Sequence, residues 1–184
     1  MDKLIITVLG KDRPGIIATV SKSLYNLDCN LENVNQMILQ NEFAGFFIVE
    51  HPPEFTVDTL KESLTRELSG TGLKIHCDRL DVNGNGASVP QGETFLITTI
   101  GPDQKGLVSR LTEIIARYRV NVTNLKAVFK GGKDPMRNVM SYEVLITPET
   151  DQAGLFADLR EKARELNLDI SIQHKNIFQT INKI

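Results

Sequence analysis

The sequence predicts an α+β protein made of two copies of one βαββαβ unit in tandem. Three observations lead there: an internal repeat, a glycine-rich polar stretch between the copies, and apolar spacing inside each copy that switches between strand and helix periods. The chain has 184 residues, room for one ordinary domain or two small ones. Shifted by 91 positions, Ile6-Thr7 falls on Ile97-Thr98, Gly10 on Gly101, Asp12 on Asp103, Gly15 on Gly106, Asn30 on Asn121 and Asn33 on Asn124. After a four-residue insertion around Gly131-Gly132-Lys133-Asp134 the shift becomes 95, and Leu60, Leu64, Leu73 and Ile75 meet Leu155, Leu159, Leu168 and Ile170. A register that survives one gap marks a duplication. Asn83 to Gly92 has linker composition, with a reach of about 17 Å. The division is a first domain over 1–82, a linker over 83–92, a second domain over 93–175 and a C-terminal tail over 176–184.

In the first copy, Lys3 to Gly10 is apolar and β-branched and predicts a strand. A polar turn follows, then Ile16, Val20, Leu24 and Leu27 recur at helical spacing. Asn30 to Gln40 and Glu42 to His51 predict a strand pair, ended by Pro52-Pro53, since proline cannot continue a ladder. Val57, Leu60, Leu64 and Leu68 mark a second helix, Gly70 and Gly72 stop it, and Leu73, Ile75 and Cys77 alternate along a last strand. The second copy repeats the order: strand Phe95 to Gly101; helix through Leu107, Leu111, Ile114, Ile115 and Tyr118; strands Asn121 to Lys130 and Asn138 to Thr147. Its second helix runs through Leu155, Phe156, Leu159, Ala163 and Leu166, and Leu168 to Lys175 closes it.

This order is the ferredoxin-like pattern, a four-stranded antiparallel sheet with both helices on one face. The open face should be polar if it meets water. Instead Ile5 and Leu9 oppose Leu4, Ile6 and Val8, and Phe46 and Ile48 oppose Phe47 and Val49. Both faces are therefore expected to be partly covered, by the other copy, by a second chain, or by both. The tail carries Ile177, Ile181 and Ile184 at helical spacing, so a short amphipathic helix or a frayed end is expected there.

The segment with chemical promise is Leu9-Gly10-Lys11-Asp12-Arg13-Pro14-Gly15-Ile16, with its partner Ile100-Gly101-Pro102-Asp103-Gln104-Lys105-Gly106-Leu107. In this reading a strand ends, Gly10 or Gly101 turns the chain, and Asp12 or Asp103 caps a helix. Pro14 suits the first turn, and Gly15 and Gly106 allow close approach to the backbone. Free N–H groups at a helix start donate to a carboxylate or phosphate. Asn30 and Asn121 begin the next strand, and a side-chain amide both donates and accepts. Together these groups suit an α-amino acid. The expected ligand set is Gly10, Asp12, Arg13, Pro14, Gly15, Ile16 and Asn30, with Gly101, Asp103, Gly106, Leu107 and Asn121 in the second copy.

Two βαββαβ copies with Gly-x-Asp-x-x-Gly turns resemble ACT domains, small regulatory modules that bind amino acids. The stretch Leu9 to Ile16, Cys29-Asn30-Leu31-Glu32, Glu42-Phe43 and Asp134-Pro135-Met136 resemble the tandem-ACT repressors of the glycine cleavage system. That resemblance implies a non-catalytic regulator that binds a small, glycine-like amino acid and contacts a regulatory protein such as a transcription activator. The alternative is an interaction module without a live ligand site. The second copy departs from the motif, with Gln104-Lys105 in place of Arg13-Pro14.

Composition narrows the field. Lys plus Arg number 21 and Asp plus Glu 23, a net charge of −2, and phosphate backbones call for a basic surface. Aromatic residues are 6% and Trp is absent, against the stacking residues an RNA-binding sheet needs. Nucleic acid is therefore not an expected partner. No apolar run approaches the roughly 20 residues of a membrane span, and the start reads as a strand without a leader. A cytoplasmic homodimer is expected. Cys29 and Cys77 form no motif and read as reduced packing residues. His51, His76 and His174 do not match across the repeat and show no metal spacing, so neither metal nor cofactor is expected.

Overall fold

The computed structural model describes residues 3–80, 91–128 and 137–176. The chain divides into two compact units, Met1–Gly86 and Ala87–Ile184. The first contains β1 (Lys3–Lys11), α1 (Ile16–Asn26), β2 (Asn30–Leu39), β3 (Glu42–Glu50), α2 (Val57–Glu67) and β4 (Lys74–Leu80). The second contains β5 (Glu93–Gly101), α3 (Leu107–Arg117), β6 (Asn121–Val128), β7 (Asn138–Ile146), α4 (Gln152–Glu165) and β8 (Asp169–His174). Sheet orders are β2-β3-β1-β4 and β6-β7-β5-β8, antiparallel throughout. The predicted α+β ferredoxin-like fold is present twice. Most of the linker, the inserted loop with Asp134-Pro135-Met136, and the tail from 177 onward lie outside the described residues.

Each core is the inner row of the sheet under its two helices. Leu4, Ile6 and Val8 lie opposite Val49, Phe47 and Gly45, and pack with Ile16, Val20, Leu24, Leu60 and Leu64. Phe95 and Ile97 lie opposite Val144 and Tyr142, and pack with Leu107, Leu111, Ile115, Leu155 and Leu159. Burial of Tyr142 pushes its hydroxyl up to about 12. On the open face Ile5 and Ile48 are half-buried, whereas Leu9 is 46% and Phe46 45% exposed.

Backbone exceptions repeat even where the residue types do not. Left-handed conformations occur at Gly15 and Gly106, at Asp28 and Arg119, and at Gly72 and Asn167. The first edge strand bulges between Leu31 and Asn33, and its counterpart between Val122 and Asn124. Helix starts differ within each unit. Thr56 caps α2 in a reciprocal capping box with Thr59. Asp151 accepts from the Gly154 amide, so α4 begins one turn before its apolar stripe. Cys29 and Cys77 are free and buried, and burial pushes both thiols up to about 11.

Candidate functional site

The conspicuous turn lies between β1 and α1. Asp12 does not cap the helix: the N-cap is Gly15, at φ 91°, with no side-chain cap bond, and Gly106 repeats this at φ 81°. A side chain at such a φ is strained, which is why glycine stands there. Nor does Gly10 turn the chain, because β1 continues to Lys11. Gly10 instead admits the next loop: a Cβ there would stand 2.8 Å from the Leu73 side chain. At Gly101 the same clash would come at 2.6 Å from Leu168.

The turn is tied to the far end of its own domain. An Arg13 guanidinium N–H donates to the Thr71 carbonyl at 3.1 Å. In the second domain the Gln104 side-chain amide donates to the Leu166 carbonyl at 2.7 Å. Thr71 and Leu166 are counterparts under the 95-residue shift. The apparent loss of motif from Arg13 to Gln104 thus keeps the donor and drops the charge.

Beside the α1 N-terminus lies a recess of about 430 Å³, lined by Asp12, Arg13, Gly15, Ile16, Ile17, Ala18, Gln36 and Phe43. The first helical amides, with no acceptor inside the helix, open here. Asp12 offers a carboxylate, Arg13 a guanidinium, and Gln36 an amide that donates and accepts. Phe43, 3% exposed, supplies an apolar wall. A larger depression of about 820 Å³ borders α2, lined by Asp58, Lys61, Glu62, Thr65, Arg66 and Ser69. Its charges are mixed and come from one helix with the residues just beyond it, as on a solvated face.

The structure thus brings together Asp12, Arg13, Gly15 and Ile16. Neither Gly10, inside β1, nor Pro14, in the turn, lines the recess. Asn30 is not brought there. It opens β2 at the other end, six residues or about 20 Å from Gln36, and its side-chain amide donates to Glu50 at 3.3 Å. Asn121 likewise lies opposite Leu145, far along β6 from Ala127 opposite Met140. Gly101, Asp103, Gly106 and Leu107 form the matching turn of the second domain.

Gln36 and Phe43 escape a sequence reading. The bulge after Leu31 flips the parity of β2, so that Val34, Gln36 and Ile38 share the helix side with Phe47, Gly45 and Phe43. Straight alternation from Leu31 would place Asn35 and Met37 there. Among the described residues no group of histidine, cysteine and carboxylate side chains could hold a metal ion. No helix among them is long and apolar enough to cross a membrane.

Comparison with known proteins fits this architecture. The ACT domain profile matches residues 2–78 and 93–173. The glycine cleavage system transcriptional repressor of Escherichia coli K12 is 30% identical over 178 residues, covering 96% of this chain and 92% of that protein. A UPF0237 protein of Methanopyrus kandleri is 31% identical over 83 residues, 45% of this chain and 92% of its own length. A crystal structure of an unknown protein from Galdieria sulphuraria superposes with a TM-score of 0.75 at 20% identity, covering 94% of this chain and 98% of that one. Two profile matches that between them take in both βαββαβ units place the chain in the ACT domain family, as two ACT domains in tandem.

Proposed function

We propose that the protein is a non-catalytic regulator that binds a small, glycine-like amino acid at the β1–α1 turn and transmits its presence by protein–protein contact. The recess at the α1 N-terminus carries this reading. Its open amides and the Arg13 guanidinium suit a carboxylate, and the Asp12 carboxylate and Gln36 carbonyl suit an ammonium group. The Phe43 wall favours a ligand with little or no side chain. The relationship to the Escherichia coli repressor supports a regulatory role, with a regulatory protein as the contact. The chain acts as a cytoplasmic homodimer. Free buried thiols support a reducing compartment. Exposed Val34, Met37, Ile38 and Leu39 on the edge strand β2 support association with a second copy.

Magnitudes set the working range. Glycine has about five heavy atoms, and a ceiling of roughly 1.5 kcal/mol per atom gives micromolar affinity at best. Such binding suits a sensor of an abundant metabolite. The test is a thermal-shift screen against the common amino acids at roughly 10 mM. At about 100 times Kd, binding stabilises by about 2.7 kcal/mol, a rise of a few degrees. A rise with glycine that Asp12→Ala abolishes supports the reading, and a flat response across the panel overturns it.

A further inference from the structure

The helices cover one side of each sheet, and the two uncovered sides are built differently. In the first domain β1 and β3 pair without a bulge, so their open-face residues stand in register: Lys3 with Glu50, Ile5 with Ile48, Thr7 with Phe46, Leu9 with Ala44 and Lys11 with Glu42. The charges lie at the two ends. Between them runs an apolar strip in which Leu9 and Phe46 are exposed, and the exposed Met37 and Leu39 of β2 widen it. An apolar centre between polar ends is the layout of an interface core within its rim, and a contiguous exposed patch of this kind calls for a partner. The second domain lacks that layout. Under the repeat shift Phe46 becomes Ser141 and Ile48 becomes Glu143. Thr98 therefore pairs with Ser141 and Leu96 with Glu143, and Lys175 Nζ donates to the Glu143 carboxylate at 2.7 Å.

The register also selects the occupant. Lay two copies of the first sheet face to face about a twofold axis running along the strands, between β1 and β3. Each β1 residue then lies over the second copy's version of its own β3 partner. Lys3 meets Glu50, Ile5 meets Ile48, Leu9 meets Ala44 and Lys11 meets Glu42. The four end charges meet their opposites and the apolar rows meet each other, as an isologous contact requires. Lys11 and Glu42 are 2.7 Å apart within the chain and largely exposed, so each has room for a second partner. β2 lies over β4, which sets Met37 against the aliphatic stem of Lys74. An axis across the strands would instead stack Lys3 on Lys11 and Glu50 on Glu42. The strand-wise operation on the second sheet would press Leu96 onto the Glu143 carboxylate, at a desolvation cost. Area agrees as well. Four strands with nine residues in each central one offer roughly 500 Å² in projection, and side-chain relief brings the accessible area toward the roughly 800 Å² per partner of a standard interface.

Resting on the homodimer reading above, we propose that the open face of the first sheet, centred on Phe46, is the surface on which two copies of this chain pack, sheet on sheet and strand along strand.

Sedimentation equilibrium of the full chain tests it, with circular dichroism to confirm that each variant is folded. The parent dimerises at about 10 μM, and Phe46→Asp raises the dimer dissociation constant at least about thirtyfold, as loss of a central anchor does. Ile38→Lys, on the helix side of the edge strand β2, leaves the constant unchanged. Lys11→Glu and Glu42→Lys each weaken self-association about fivefold through like charges. Mixed, these two variants form a heterodimer of parental strength, because every new charge then meets its opposite. A dimer that survives Phe46→Asp, or that is lost in Ile38→Lys, overturns the proposal and leaves the homodimer reading standing. A mixed heterodimer no stronger than the two variant homodimers also overturns it. A monomeric parent overturns both, and the amino-acid reading is then judged by the thermal-shift screen alone.

Discussion

In the first domain the inner rows end in Val8, Phe43 and Gly45; in the second they end in Thr99, Asn138 and Met140. Elsewhere the rows stay apolar, with Leu4 and Phe95, Ile6 and Ile97, and Val49 and Val144 as counterparts. Divergence is thus concentrated under the turn. It is also coupled. The Phe43 ring lies over Gly45, where a Cβ would stand 2.8 Å from it. The second domain places Met140 at the glycine position and gives up the ring for Asn138. Each pair fills the same interior volume in its own way, as close packing requires. The comparison teaches that a duplicated fold is free to change chemistry where a helix start meets the sheet, provided that volume is conserved.

The hardest blow to this comparison is to mix the pairs. Gly45→Met alone sets a side chain against the Phe43 ring and is expected to cost about 3 kcal/mol. Adding Phe43→Asn should restore at least 1 kcal/mol or so of that, read as a coupling in urea denaturation. Simple additivity would show that the pairs are independent.

Alkali separates the domains by chemistry. Cys29 and Cys77 have folded pKa values of about 11, above the unfolded value near 8.5. Their contribution is complete below the unfolded value and is lost as pH rises through the folded one. About 2 kcal/mol per thiol should disappear between roughly pH 8.5 and 11. Tyr142, with a folded value of about 12, holds out to higher pH. Stability measured against pH should flatten over the lower window in Cys29→Ala/Cys77→Ala and over the upper one in Tyr142→Phe.

A smaller effect tests the left-handed helix starts. A Cβ at Gly15 meets open space and one at Gly106 only ordinary contact with Arg110, but both sit at a positive φ, so Gly15→Ala and Gly106→Ala should each cost about 1–2 kcal/mol. Equal losses would show that the two turns carry the same backbone constraint. The smallest effect concerns the latch to the next loop. Arg13→Ala should cost about 0.5 kcal/mol, since the bond is exposed. Arg13→Gln, which imports the residue of the second domain, should leave stability unchanged and weaken glycine binding.

Much of this was legible in the sequence. Apolar spacing placed every described strand and helix to within a few residues, because the inner rows and helix stripes follow their periods. The repeat made the second copy readable from the first. The turn was legible as a helix start, but its cap was not. Asp12 has the right chemistry for an N-cap, yet two residues of turn remain after it and Gly15 takes that place. Gln36 stayed hidden because the bulge after Leu31 shifts its face, and a bulge leaves no periodic mark. Asn30 was hard to place for another reason: its distance from the turn depends on strand direction, not on chain separation. Thr99 was invisible for a different reason. A threonine among β-branched neighbours reads as a good strand residue, and only the packed interior shows that its hydroxyl has no partner.

The latch from Arg13 to Thr71 joins residues 58 apart, and that from Gln104 to Leu166 joins residues 62 apart. Such a bond has little to gain until β1 has paired with β4, or β5 with β8, and brought its ends within reach. The helix start is therefore among the last parts of each domain to be completed during folding. By the same logic it is among the first to loosen, since opening the tip of the closing strand releases it while the core stays packed. A recess built in this way reports on the integrity of its whole domain, and a ligand that fills it tightens the point where the chain's early and late segments meet.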